Sequence, residues 1–457
     1  MLGIFKKATV QDLLAELKKD TFDEVKANNM LSSVDINQKT QDGKSLLHQL
    51  SNQNKVEGIS WLVKKGVNLN AVDNNGFTPL MITASSGSVE ALKKLISLGA
   101  NTAILNNHGR NALAEAVFAD KEECFFLLKD ITKELDLLDL KGQNIFFYAA
   151  QNGNIRIILE LLKIESININ QKDIDGKTLL FVEQVYSNKE ILTTLINKGL
   201  DLKALDNNGK NVLFYFIKSK SLSIDYFEYL LELGFDLEQK DTKGNTLIFK
   251  IVSHINKLFA DGKDAHRIKI LYELIDILLD KKVNTSMWNL KGDNLLTMAA
   301  RGRNVQLMKF LLKNDVDSNH MTEDRKTTVS IIAMMGKDYL QELVMLLDFG
   351  ADVNIEDSRN QTIIEKLINA DLYLKNMIHL SRDERKEIVE DGDYQSVLKE
   401  ILYNSEVNLR KLNSKNDPYF FDALMLDNVE LVRLLIKYGA DINQLSHDGL
   451  NVIYKFL

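Results

Sequence analysis

Residues 73–109 read DNNGFTPLMITASSGSVEALKKLISLGANTAILNNHG. The opening Asp-Asn-Asn-Gly has the composition of a tight turn: a short polar side chain that bonds nearby backbone N–H groups, then a glycine free to take positive φ. Thr78, two residues past Gly76, fits a helix N-cap, and PLMITASSG at 79–87 fits a short first helix. In VEALKKLISLG at 89–99, Val89, Leu92, Leu95 and Ile96 fall on one stripe of a second helix. Gly109 then opens the same phrase 33 residues after Gly76.

The period extends in both directions. Gly43, Gly76, Gly109, Gly142, Gly176, Gly209, Gly244 and Gly292 begin related phrases, from DGKSLL and NGFTPL to NGKNVL and KGDNLL. The phase continues through Arg325, Asn360 and Asn416, where glycine is lost, and returns at Gly449. Three residues before most of these marks stands Asp or Asn, as at Asp73, Asn106, Asp139, Asp173, Asp206, Asp241, Asn289, Asp357 and Asn413. Two residues after them stand Ser45, Thr78, Asn111, Asn144, Thr178, Asn211, Thr246, Asn294, Thr327, Thr362 and Asn451, all suited to cap a helix. A helix pair of this length cannot bury its apolar face alone, whereas a neighbour on each side completes a continuous layer. The spacing therefore predicts an all-α repeat solenoid.

Two spacings break the period. Gly244 to Gly292 spans 48 residues, and KIVSHINKLFADGKDAHRIKILYELIDILLD reads as two lengthened helices around a polar hinge at 260–265. Asn360 to Asn416 spans 56, with helices expected over 372–379 and 384–403 on either side of the mixed-charge SRDERKE. Leu374, Ile378, Ile388, Val389, Val397, Leu398 and Ile401 in that insertion need a surface to pack on.

Composition removes several classes of function. Hydrophobic residues make up 45% and charged residues 26% of the 457, a globular mixture rather than a disordered one. The net charge of -7 gives no general reason to bind nucleic acid. The single Cys124 excludes an intramolecular disulfide and any cysteine-cluster metal site, and its place on the second-helix stripe fits a small buried hydrophobe. None of the 7 histidines belongs to an HExxH pattern. DGKSLL and DGKTLL lack the upstream glycines of a phosphate loop, and a Gly-x-Ser-x-Gly elbow is absent. No run of 18 apolar residues suggests a membrane span, and the start lacks the apolar run of a secretory signal.

The repeat closely resembles the ankyrin-repeat family. GFTPLMITA at 76–84, LLDFGADVN at 346–354 and LLIKYGADIN at 434–443 carry its Gly, Thr-Pro-Leu-His-x-Ala and Leu-Leu-x-x-Gly-Ala-Asp-Val-Asn pattern. The family histidine is present at His48, but its position holds Phe147, Phe181, Phe214, Phe249 and Phe421, then Tyr454, an aromatic series expected to be buried and to neighbour along the stack. The resemblance implies an all-α ankyrin-type helical repeat solenoid with short projecting β-hairpin-like turns. It would comprise an N-terminal helical cap at 1–32, a main array at 33–370 with an enlarged unit near 245–290, a helical insertion at 371–403, and C-terminal repeats with their cap at 404–457.

What the resemblance implies for function is a non-catalytic protein–protein interaction scaffold, binding a folded partner through the concave turn and first-helix surface. Mapped onto this chain, the partner-binding candidates are Asn74, Asn75 and Phe77 in one unit and Asn207, Asn208 and Lys210 in another. Trp288, at a turn position filled by aliphatic residues elsewhere, reads either as a turn packer or as an aromatic anchor. Arg301 and Arg303, in a connection between helices, read as exposed solubility residues or as holders of an anion. No cofactor, metal, nucleic acid, membrane span or specific small molecule is expected, and the isolated chain is expected to be a soluble, cytoplasmic monomer. Its richness in Asn, Lys and Ile with only 2 prolines resembles proteins of AT-rich bacterial genomes. That supports the alternative of a host-directed bacterial effector, delivered without a cleaved N-terminal signal, or a toxin-neutralising ankyrin protein. An enzyme with a site in the insertions finds no recognised constellation there.

Overall fold

At Gly76 the backbone turns left-handed (φ 79°), and Thr78 caps the helix Pro79–Ser86, its Oγ1 accepting the Met81 N–H at 3.2 Å. Pro79 opens that helix where no N–H is needed, and Gly87 closes it in the left-handed region. The second helix, Val89–Ser97, buries Ala91, Leu92 and Leu95 completely and leaves Glu90 and Lys93 in solvent, paired at 2.8 Å. Each leucine buried in this way stabilises by about 1.5–3 kcal/mol relative to exposure.

The computed structural model describes residues 7–262, 264–323, 325–376, 394–425 and 429–451, and among them a turn followed by helices recurs at each mark from Gly43 to Asn416. Chain contacts divide the molecule into two compact units. One holds the residues up to Leu222 with Glu232–Phe235, the other Ser223–Leu231 with the residues from Asp236 on. In the first, the first helices Leu46–Asn52, Pro79–Ser86, Ala112–Phe118 and Ile145–Asn152 pack one on the next, and the second helices Val56–Lys64, Val89–Ser97 and Glu122–Leu128 form a parallel layer. In the second, Leu247–Ala260, Leu295–Arg301, Thr328–Ala333 and Ile363–Asn376 stack in the same order. Leu247–Ala260 and Ala265–Asp280 are the long helices of the enlarged unit, joined through Asp264, whose side chain accepts the Arg267 N–H at 3.0 Å. Tyr394–Asn404 buries Val397, Leu398 and Ile401. The expected contacts of Ile378, Ile388 and Val389, and the SRDERKE run, lie outside the described residues, as does Tyr454.

The expected β-hairpin-like turns are not formed. No strand or hairpin occurs among the described residues, and an isolated bridge between Leu412 and Pro418 is the sole β pairing there. The reason is local competition. A hairpin at 73–77 needs Asp73 and Phe77 to exchange two backbone bonds. Asp73 N–H does donate to Phe77 O at 3.0 Å, but Phe77 N–H donates to Asp73 Oδ1, as does Asn75 N–H, each at 2.9 Å. The side-chain carboxylate thus takes the donor that would have made the second rung.

The aromatic series is buried at Phe147, Phe181, Phe214, Phe249 and Phe421. Ring contacts across units include those of the neighbouring position, where Tyr148 and Tyr215 are anchored by their hydroxyls. Phe118 meets Tyr148 edge-on at 5.5 Å and Phe181 meets Tyr215 at 5.4 Å. His48 links its unit to the next, with Nδ1 at 2.8 Å from Ser45 Oγ and Nε2 at 2.8 Å from Phe77 O. Where the cap is Asn, its amide instead reaches the end of its own unit, just before the next turn: Asn111 Nδ2 donates to Glu134 O and Asn144 Nδ2 to Asn168 O.

Candidate functional site

The turns are built around the residue three before each mark, and in six of them its second polar atom has a polar or charged partner nine residues on. Tyr148 donates to Asp139 at 2.7 Å and Tyr215 to Asp206 at 2.6 Å. Lys250 pairs with Asp241 at 2.7 Å and Lys366 with Asp357 at 2.6 Å. Where the turn residue is Asn the polarity reverses, and Asn106 and Asn413 each donate at 2.7 Å to the carboxylates of Glu115 and Asp422. Burial alone would raise the pKa of Asp241, but the hydrogen bonds from Lys250 and from Asn245 and Lys243 outweigh it and hold the carboxyl below its ordinary value. Asp206 and Asp357 are depressed likewise, with Tyr215 and Lys366 the leading donors against the burial penalty. The nine-residue pairing was legible in the chain as a matched choice of Asp with Tyr or Lys and Asn with Glu or Asp, and repeat phase alone did not reveal it.

Successive turns are also tied to each other. In the first compact unit Asn74 N–H donates to Asp42 O, Asn107 to Asn75 O, Leu140 to His108 O, Ile174 to Lys141 O and Asn207 to Asp175 O, all within 2.8–3.1 Å. The side chains of Asn74 and Asn207 repeat the tie, donating to Gln41 O at 2.8 Å and Ile174 O at 2.9 Å. Two of the sequence candidates therefore have their amide N–H already engaged by the neighbouring turn. Asn75 and Asn208 are exposed tips, each with its backbone N–H on the turn carboxylate. Phe77 is half-buried, and Lys210 lies 6.0 Å from the Tyr215 ring.

The second compact unit differs. Leu290 N–H ties to Lys243 O at 3.1 Å, but Glu323 N–H makes no such bond with Lys291 O. The turns part there and a groove of about 910 Å³ opens between them and the first helices. Trp288 and Arg301 both line it. Trp288 is half-buried, its ring 5.3 Å from that of His320, whose pKa burial lowers despite nearby Asp317. Arg301 ends the helix Leu295–Arg301 and its Nε donates to Asp293 at 2.8 Å. Arg303 does not line the groove; it pairs with Asp338 at 3.2 Å and covers the Tyr339 ring at 4.8 Å. Each arginine thus already has a carboxylate, which opposes the anion-holding reading.

Chemistry of other kinds finds no support. Cys124 is buried, and desolvation pushes its thiol up to about 11, the wrong direction for a nucleophile. Among the described residues no group of three or more His, Cys, Asp or Glu side chains is placed to hold a metal, and no helix is long and apolar enough to cross a membrane.

Comparison with known proteins supplies the family. The profile for ankyrin repeats (3 copies) matches residues 13–106, 47–139, 82–173, 113–206 and 146–241, together half of the chain. The chain is 23% identical over 282 residues to the ankyrin repeat protein L371 of Acanthamoeba polyphaga mimivirus, covering 59% of this chain and 31% of that protein. It is 23% identical to the ankyrin repeat protein OPG189 of Variola virus, covering 54% and 49%, and 27% identical over 174 residues to the ankyrin repeat protein YahD of Escherichia coli, covering 34% and 83%. The chain thus spans less than half the length of the two viral relatives. With the helix pairs, capped turns and matching profile all in register, the chain belongs to the ankyrin-repeat family, whose architecture is that of a protein–protein interaction scaffold.

Proposed function

We propose that this protein is a non-catalytic scaffold that holds a protein partner against its turns and first helices, with Trp288 as the anchor. The observation that carries this reading is the groove in the second compact unit, where a half-buried indole stands beside an opening walled by turn and first-helix residues. Large aromatics that are partly covered before binding lose little freedom on docking and bring much apolar area. Arg301 contributes less, because its guanidinium is already committed to Asp293 at 2.8 Å. Asn75, Phe77, Asn208 and Lys210 are the corresponding turn positions of the first compact unit, with Asn74 and Asn207 holding its turns in place. The boundaries at 32, 370 and 403 remain part of this reading.

The test begins with affinity capture of a partner by the intact chain. Trp288→Ala is expected to weaken that complex roughly tenfold or more, equivalent to about 1.4 kcal/mol, while circular dichroism and Tm stay nearly unchanged. Arg301→Ala should have the smaller effect. Equal affinity after Trp288→Ala, or loss of binding through unfolding alone, removes Trp288 from the interface.

A further inference from the structure

The groove of the second compact unit combines three features that together define an occupant. Its charge is one-sided. Arg301 and Lys366 are satisfied by Asp293 and Asp357, but Lys240, Lys291 and Arg359 are exposed and pair with no carboxylate among the described residues. Among the described lining residues the carboxylates are Glu323 and Asp357, the latter already paired with Lys366. This local excess of cations occurs in a chain whose net charge is -7. The groove is also apolar. Leu290 is 79% exposed and Met334 36%, and Ile331, Met335 and Trp288 continue the same lining. Finally its edge is open. Lys291 O and Glu323 N–H are the acceptor and donor that tie successive turns elsewhere, and here they leave each other unpaired.

We propose that this groove takes an extended acidic segment of another protein, one that alternates Asp or Glu with aliphatic residues. The inference rests on the scaffold reading and names the chemistry of its partner. An extended chain sends alternate side chains to opposite sides. One set faces Lys240, Lys291 and Arg359 while the other enters the Leu290, Met334 and Trp288 lining, and its backbone meets the open turn edge as an added strand meets a sheet edge. A single-stranded nucleic acid shares the negative charge but binds on a series of aromatic platforms, and this groove has methionines and aliphatic side chains beside one indole.

The experiment uses the full chain and a fluorescein-labelled peptide of alternating Asp and Val, followed by anisotropy. Binding is expected, weakened roughly tenfold or more by the double charge reversal Lys291→Glu with Arg359→Glu, and weakened by raising NaCl to about 0.5 M. The matched reversal Lys64→Glu with Lys198→Glu, at the exposed end of one second helix and the C-cap of another in the first compact unit, should leave it unchanged. Circular dichroism confirms that each variant is folded. The proposal is overturned if the peptide does not bind, or if a Lys-Val peptide, an Asp-Ser peptide or oligo-dT binds as tightly. Binding that survives the double reversal also overturns it. A captured partner whose footprint covers the 74–77 and 207–210 turns but not this groove would sink the groove proposal and leave the scaffold reading standing.

Discussion

A single residue choice sets the tightness of each turn. Gly76 and Gly292 have nearly the same backbone, φ 79° and 74°. A Cβ on Gly76 would lie 2.8 Å from Asn107 N in the next turn, whereas one on Gly292 would meet, among the described residues, only Thr322 Cγ2, at 4.0 Å. Alanine at either site carries the left-handed penalty of about 1–2 kcal/mol. Gly76→Ala should therefore cost about 1–3 kcal/mol more than Gly292→Ala, the excess being the clash with the neighbouring turn. Equal losses in urea denaturation would show that the turns do not press on one another. Lys250 offers a second test. Its ammonium lies on an Asp241 side chain that is only 2% exposed, so Lys250→Met leaves a buried carboxylate short of a donor at a cost of about 1–3 kcal/mol. Because Asp241 is depressed in the folded state, its contribution is complete above the unfolded carboxyl value near pH 4 and is lost as pH falls through the folded pKa. Replacing Lys250 raises that folded pKa, so the stability difference between wild type and Lys250→Met should shrink on acidification. A difference that does not change between pH 7 and pH 3 would deny Lys250 this role.

At the scale of the element, the helices were legible because their signals are local. Thr78 caps, Pro79 begins and Gly87 ends one helix within ten consecutive positions, and Leu92 and Leu95 show by spacing alone which side of the next is buried. The phase even carried through Arg325, Asn360 and Asn416, which hold φ of 56°, 59° and 63° in place of glycine. The turns were misjudged because the same Asp or Asn that advertises a turn also withdraws the backbone donor a hairpin needs. The aromatic positions lie between these cases: burial of Phe147 followed from repeat phase, but the ring contacts depend on where the adjacent Tyr148 is held by Asp139. Phe147 is 2% exposed within the helix Ile145–Asn152, so Phe147→Ala should destabilise by about 3–5 kcal/mol through lost transfer and a residual cavity. Phe118, 47% exposed, should lose far less on the same substitution despite its contact with Tyr148. Comparable losses at the two sites would mean that edge contacts, not burial, hold the stack.

For the whole molecule, repeat stability is a sum of unit stabilities and neighbour couplings, so a missing coupling should be visible as a local weakness. The sequence carries the period across both compact units, but the groove arises from an absent backbone tie between residues 291 and 323, which no residue type announces. In the first unit every turn from Asp42 to Asn207 is bonded to the next, whereas the second has the Leu290 to Lys243 tie and then an opening. Hydrogen exchange should therefore find the amides of Asn74, Asn107, Leu140, Ile174 and Asn207 protected and that of Glu323 fast. The two tryptophans read the same difference in denaturant. Trp61 is 3% exposed in the helix Val56–Lys64 of the first unit, and Trp288 is half-buried at the groove of the second. In urea the Trp288 emission of a Trp61→Phe variant should change at a lower midpoint than the Trp61 emission of a Trp288→Phe variant. Binding of the acidic peptide should then raise the Trp288 midpoint and leave that of Trp61 nearly fixed, since a ligand stabilises the segment that must be folded to hold it. Coincident midpoints, moving together when the peptide is added, would mean that coupling through the helices outweighs the missing turn tie and that the groove is no weaker than the rest of the stack.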